Sequence, residues 1–420
     1  MFWVNVHLGR MKKTLAARLE ILSDAAKYDA SCASSGARSK KKPGEEGLGS
    51  KAPNGICHAY TPDGRCISLL KILMTNFCIY DCAYCINRSS SKIERTRFTV
   101  EEIIWITLEF YRRNYIEGLF LSSGVIRSSD YTMEEMVRVA RELRLTHHFH
   151  GYIHLKTIPD AAPHLIEEAG LYADRLSINV EMPTDAGLAA YAPEKDAGHI
   201  RQSMGNLRLK IQEAGDRSLT GRRPPRFAPG GQSTQMIIGA DQSSDRDILR
   251  SSAALYSGYA LRRVYYSAFS PIPDSSLALP AQSPPLIREH RLYQADWMVR
   301  FYGFSFEEIV AERQDGMLDL DLDPKLAWAL QNRAQFPLDL NRASREMLLR
   351  VPGLGPRSVG ALLSARRHRV IRLEDVERLN VSLRKIKPFV VTADWSPGRM
   401  IDRENLAASF RPQPKQLALL

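Results

Sequence analysis

Apolar residues along this chain fall into two alternating registers. Short runs dominated by aliphatic and aromatic residues, at 67–74, 118–122, 152–156, 175–181, 235–238 and 263–268, read as strands. Near 99–114, 132–145, 162–170, 198–214, 245–258 and 286–302, apolar positions recur every three to four residues, which predicts helices. Six strand–helix units of this kind imply a parallel sheet with helices outside it. Right-handed crossovers curl such a sheet into a partial (βα)6 barrel related to the eightfold one, although a doubly wound sheet satisfies the same pattern.

The flanks read differently. Residues 12–30 set Leu15, Leu19, Leu22 and Ala26 at helical spacing, and a Lys/Gly/Pro/Glu run to Lys51 reads as a mobile loop. Residues 217–231, rich in Arg, Pro and Gly, interrupt the fourth crossover. The stretch 317–324 leads through a short helix at 326–330 into a separate C-terminal module. The expected division is an N-terminal helix and loop (1–60), a barrel (61–305), a linker (306–336), a small all-α module (337–391) and a tail (392–420). Met11 is a more natural start than Met1.

Composition narrows the class. Of 420 residues 44% are hydrophobic and 25% charged, an ordinary globular balance. No run approaches the roughly 18 apolar residues of a membrane span, and residues 1–8 lack a basic start before an apolar core, so a cytoplasmic chain away from membranes is expected. The six cysteines cluster rather than spreading as a staple framework, which fits a reducing compartment. A net charge of +11 permits a nucleic-acid partner.

The chemistry concentrates in one stretch, Asn76-Phe77-Cys78-Ile79-Tyr80-Asp81-Cys82-Ala83-Tyr84-Cys85. Three thiolates spaced C-x3-C-x2-C must converge from an irregular loop, which suits a cubane iron–sulfur cluster with one iron left open. Zinc normally takes four ligands in paired spacings, and a redox dithiol leaves Cys78 unexplained. The loop directly follows the first strand, where a barrel places its chemistry. Cys32, Cys57-His58 and Cys66 form a looser second group, readable as a further metal site or as small buried hydrophobes.

This cysteine pattern resembles that of the radical S-adenosylmethionine (SAM) superfamily. The resemblance implies a [4Fe-4S] cluster on Cys78, Cys82 and Cys85, with SAM chelated at the open iron and split into methionine and a 5′-deoxyadenosyl radical by an external electron donor. It also implies that Tyr84 lies near the adenine. Ser122-Ser123-Gly124 stand where the family carries Gly-Gly-Glu, without the acid. Asn179 and Glu181 resemble residues that hydrogen-bond the ribose or the methionine amine, and Ile238-Gly239 resemble an adenine-stacking strand. Lys156 ends the third strand, and Tyr265, Tyr266 and Ser267 the sixth; either tyrosine is a candidate radical donor.

Residues 337–380 resemble a helix-hairpin-helix module. Gly353 and Gly355 permit a turn that exposes successive N–H groups beside a helix start, an arrangement that binds phosphate. Arg357, Arg366 and Arg367 surround it, and residues 338–391 carry 12 Lys and Arg against 5 Asp and Glu. The run from Leu15 to Phe389 resembles bacterial radical SAM proteins of DNA modification or repair, often paired with a uracil-DNA-glycosylase-like partner. The resembling segments include 29–36, 118–124, Ala228-Pro229-Gly230-Gly231-Gln232-Ser233-Thr234-Gln235-Met236 and Tyr293-Gln294-Ala295-Asp296-Trp297. The expected substrate is DNA, the alternatives being structured RNA or a non-catalytic, cluster-bearing binding partner.

Overall fold

The computed structural model describes residues 13–26, 55–60, 65–158, 160–216, 226–273, 276–310 and 314–412. Their contacts divide the chain into two units: one reaches Asp241 and adds 255–283, the other combines 242–254 with the chain from Pro284.

In the first unit seven strands lie side by side in chain order: β1 (Ile56–Tyr60), β2 (Cys66–Leu73), β3 (Gly118–Ser122), β4 (Tyr152–Lys156), β5 (Arg175–Ser177), β6 (Gln232–Ile238) and β7 (Arg263–Ala268). From β2 onward every pairing is parallel. The sheet curls into an open half-barrel, as expected. The helices of this unit are α1 (Leu15–Ala26), α2 (Val100–Arg112), α3 (Ser129–Leu145), α4 (Pro163–Tyr172), α5 (Asp185–Tyr191) and α6 (Ala197–Gly215), followed by α7 (Asp245–Tyr259), which is shared with the second unit. Several starts are capped: Thr99 and Glu102 form a reciprocal capping box on α2, and Ser128 and Asp196 cap α3 and α6. Glu102 also takes a two-pronged ion pair from Arg18, fastening α1.

Several boundaries differ from expectation for local reasons. Strand β1, antiparallel to β2, is too short and too mixed in character to signal itself. Strand β5 stops at Ser177 rather than running to Glu181, whose φ of 64° bends the backbone into the left-handed region. Helix α5 has seven residues, too few for a visible period.

The second unit is mainly helical, with α8 (Leu286–Phe301), α9 (Phe306–Val310), α10 (Pro324–Gln331), α11 (Arg345–Arg350) and α12 (Pro356–Ala365). A two-residue parallel pair, β8 (Leu338–Asp339) with β9 (Val390–Val391), departs from the all-α expectation. Described residues of the expected linker, 306–310 and 314–336, contribute to the core of this unit. Leu318 and Leu322 are buried, and Trp328 joins Phe304, Phe336 and Phe389 in a chain of edge-to-face rings. Asp245 sits fully buried against Arg288 at 2.8 Å and also accepts the Leu318 N–H. No helix among the described residues is long and apolar enough to cross a membrane.

Candidate metal centre and cofactor site

The cysteine loop leaves the C-terminal end of β2 and is tied shut at its base. The Asn76 amide donates to the Glu94 carbonyl at 2.7 Å and accepts from Thr96 N–H at 2.7 Å. Arg95 spreads its guanidinium over four loop carbonyls, those of Asn76, Asn87, Arg88 and Ser91. Fixed this way, the loop needs no regular structure to hold its thiols.

Gly124, at the end of β3, lets the neighbouring strand crowd in. Its N–H donates to the Thr75 carbonyl at 2.9 Å, and a Cβ there would clash with the Phe77 carbonyl oxygen. The next residue, Val125, directs its N–H at the Cys78 sulfur at 3.4 Å, and Asn87 N–H does the same for Cys85. Backbone donors aimed at sulfur suit thiolates, and hydrogen bonds to sulfur tune cluster potentials. Burial pushes the Cys82 thiol up and the Cys85 thiol to about 12, with the neighbouring cysteines adding to both. A cationic iron core reverses that penalty. Among the described residues no three His, Cys, Asp or Glu side chains converge on a single ion. The donor set fits the cluster.

Beside the thiols lies a buried polar group. The Tyr84 hydroxyl is fully buried with no hydrogen-bond partner; burial raises its pKa well above the usual phenol, with Glu181 reinforcing. Glu181 accepts from Lys195 Nζ at 2.6 Å, and Asn179 bridges the Glu181 carboxylate and Gln235 at 3.5 and 3.4 Å. Burial works to lower Lys195, but Glu181, with Tyr84 and Cys82, outweighs it and holds the ammonium well above its ordinary value. Tyr84, Asn179 and Glu181 are thus gathered near Cys82. Lys195 and Arg95 were not anticipated. Lys195 follows the unforeseen helix α5, in a segment that clasps the cysteine loop through Glu194 to Asp81 N–H and the Tyr191 carbonyl to Ala83 N–H.

Other candidates are placed less tellingly. The Ser122 hydroxyl is buried without a partner, while Ser123 donates only to its neighbour's carbonyl. Lys156 is half-buried, in register with Ser177. The Ile238 carbonyl accepts from Phe269 and Gly239 turns at φ 76°, contacts that tie this strand end to β7 rather than to the thiols. Tyr265 contacts Arg175, whereas Tyr266 lies on the opposite face of β7. Cys57 and Cys66 do not form a second centre. Cys57 pairs with Leu69 and packs on the Ile67–Phe120 cluster, its neighbour His58 points to the other face, and exposed Cys66 sits three positions along the ladder. Cys32 lies outside the described residues.

In the second unit the turn between α11 and α12 has Gly353 at φ 86° and Gly355 capping α12. Arg357 and Arg367 are exposed, and half-buried Arg366 donates to the Ala343 carbonyl at 2.7 Å. Lys325 is buried beneath the turn, donating to the Leu349 and Leu354 carbonyls.

A curled parallel sheet with a clamped three-thiol loop after its first parallel strand defines a scaffold for cluster chemistry. Residues 72–211 match the Radical SAM superfamily. The chain therefore carries a radical SAM domain, whose superfamily binds a [4Fe-4S] cluster and SAM. Solved structures with partial likeness include HydG, a maturase of the [FeFe]-hydrogenase (14% identity, 54% of this chain and 48% of that chain, TM-score 0.39). Methylornithine synthase PylB gives 14%, 53%, 59% and 0.41 for the same quantities. A radical SAM methyltransferase from Sphaerobacter thermophilus gives 15%, 57%, 69% and 0.38. The chain spans about half the length of the first two. No curated protein matches it.

Proposed function

We propose that this chain is a radical SAM enzyme that modifies or repairs DNA. The carrying observation is the clamped thiol loop beside the buried Tyr84–Glu181–Lys195 group. Cys78, Cys82 and Cys85 hold the cluster, Tyr84 lies along the adenine, and Asn179 and Glu181 bind the ribose or the methionine amine of SAM. A [4Fe-4S] cluster held by these thiolates would supply the electron, taken from an external donor, that splits SAM into methionine and a 5′-deoxyadenosyl radical. Gly124 keeps the backbone close enough for its neighbours to meet the ligand, and Arg95 keeps the loop from opening.

The nucleic-acid half of the reading rests on the second unit. Its basic excess, the left-handed Gly353 turn and the exposed Arg357 and Arg367 form a backbone-reading surface of the kind that positions a protein without reading sequence. The test uses the full chain. Duplex DNA should bind without sequence preference, with affinity falling about 0.9 log units per log unit of salt for each phosphate contact. Arg357→Ala should lower affinity evenly across sequences and reduce that slope by about one. DNA should also raise 5′-deoxyadenosine release under reducing conditions. Salt-insensitive binding, or stimulation by RNA and not by DNA, would defeat the DNA assignment.

A further inference from the structure

The six parallel strands contain Lys71, His154, Lys156, Arg175 and Arg263, and not one Asp or Glu. All five basic residues point the same way. Lys71 stands over the Phe120 ring at 5.8 Å, Phe120 meets His154 edge-on at 4.4 Å, and His154 bonds the Ser177 hydroxyl at 3.1 Å. Arg175 reaches the Tyr265 hydroxyl at 3.5 Å, and Arg263 covers the Tyr265 ring at 5.1 Å. This is the concave face. Gln232, of opposite parity to Ser233, reaches outward to the Met204 carbonyl on α6, so Ser233 faces in.

A closed barrel fills such positions with layers of Val, Ile and Leu. Here the register sets Lys156, Ser177, Ser233 and Arg263 directly side by side across β4, β5, β6 and β7. Two cations flank two hydroxyls in one row. Independently, the buried hydroxyls of Ser233 and of Ser122, on the same face, have no hydrogen-bond partner. Hydroxyl groups so deep in a protein are costly unless something bonds them.

We propose that the concave face of the half-barrel is a receptor for an oxyanion of the substrate, with Lys156 and Arg263 as its cationic walls, Ser233 and Ser122 as donors, and Arg175 and Lys71 supplying the field behind them. This rests on the radical SAM reading only for the purpose of this face; the anion preference stands on the strands themselves. The substrate part that enters therefore carries a phosphate or a carboxylate.

Isothermal calorimetry on the reconstituted full chain tests this, with thymidine, thymidine 5′-monophosphate, inorganic phosphate and succinate as probes. The nucleotide should bind at one site per chain and at least tenfold more tightly than the nucleoside. Arg263→Gln should shrink that ratio to near one, and Arg263→Lys should keep part of it. A stronger response to succinate than to phosphate would assign the oxyanion to a carboxylate and still support the receptor. Equal binding of nucleoside and nucleotide with no response to succinate, no binding of any anion at millimolar concentration, or anion binding unchanged in Arg263→Gln would overturn it. Release of 5′-deoxyadenosine from the same preparations is read separately. A chain that cleaves SAM yet ignores the anions loses only the receptor, and one that binds them without cleaving SAM loses only the radical reading.

Discussion

Replacing Lys195 with Met should cost far more than a surface change, because of what it leaves behind. Glu181 and Lys195 lie 2.6 Å apart with side chains 7% and 15% exposed. Removing one member of a buried pair costs about 3–5 kcal/mol, since the remaining charge loses its compensation. Glu181 also occupies a left-handed backbone position, so it cannot swing to solvent without disturbing the bridge it makes to Met236. Amide exchange of peptides covering 178–182 and β6 reads this locally. Protection should fall by about a hundredfold or more in Lys195→Met. The double variant Lys195→Met/Glu181→Gln removes both charges and should recover much of the loss. A drop under tenfold in the single variant, or a double variant no better protected, would refute the claim that this pair holds the site together.

Gly124→Val should displace the cysteine loop and lower the iron retained on reconstitution, because its Cβ would meet the Phe77 carbonyl; Gly258→Ala, where nothing lies within 4 Å, should retain iron as wild type does. Lys325 supplies a pH test. Burial lowers its pKa to about 7, with Asp323 opposing. The unfolded chain keeps that proton to about pH 10.4 and so binds more protons above pH 7. Stability of the second unit should therefore rise between about pH 7 and 10, by at most ~1.4 kcal/mol per pH unit, a slope absent from Lys325→Met in urea titrations at pH 7, 8 and 9.

How much was legible in the sequence follows from the range over which each signal acts. The parallel strands announce themselves because burial on both faces makes each a local apolar run. The thiol loop does so because three cysteines fall within eight residues. Glu181 is legible through the resemblance and as the one carboxylate of the run 175–181. Its partner Lys195 is not, because only the fold brings position 195 to the thiols, by way of a helix too short to show a period. Arg95 carries no motif either; its role is to satisfy carbonyls that an irregular loop leaves open, a need visible only once the loop has a shape. Arg366 shows the opposite limit, since one of its N–H groups is spent on the Ala343 carbonyl. Basic character predicts a phosphate contact equally well for an arginine spent on a carbonyl within the protein.

The central claim is that Cys78, Cys82 and Cys85 together hold a cluster that cleaves SAM. The most direct measurement is anaerobic reconstitution of the full chain and of the three single Cys→Ala variants, followed by iron quantitation and assay of 5′-deoxyadenosine under reductant. Wild type should hold about four irons with broad visible absorption and release 5′-deoxyadenosine, while each variant loses both. A wild type that binds iron but releases no 5′-deoxyadenosine, or a four-iron spectrum that survives loss of any of these cysteines, would contradict the account.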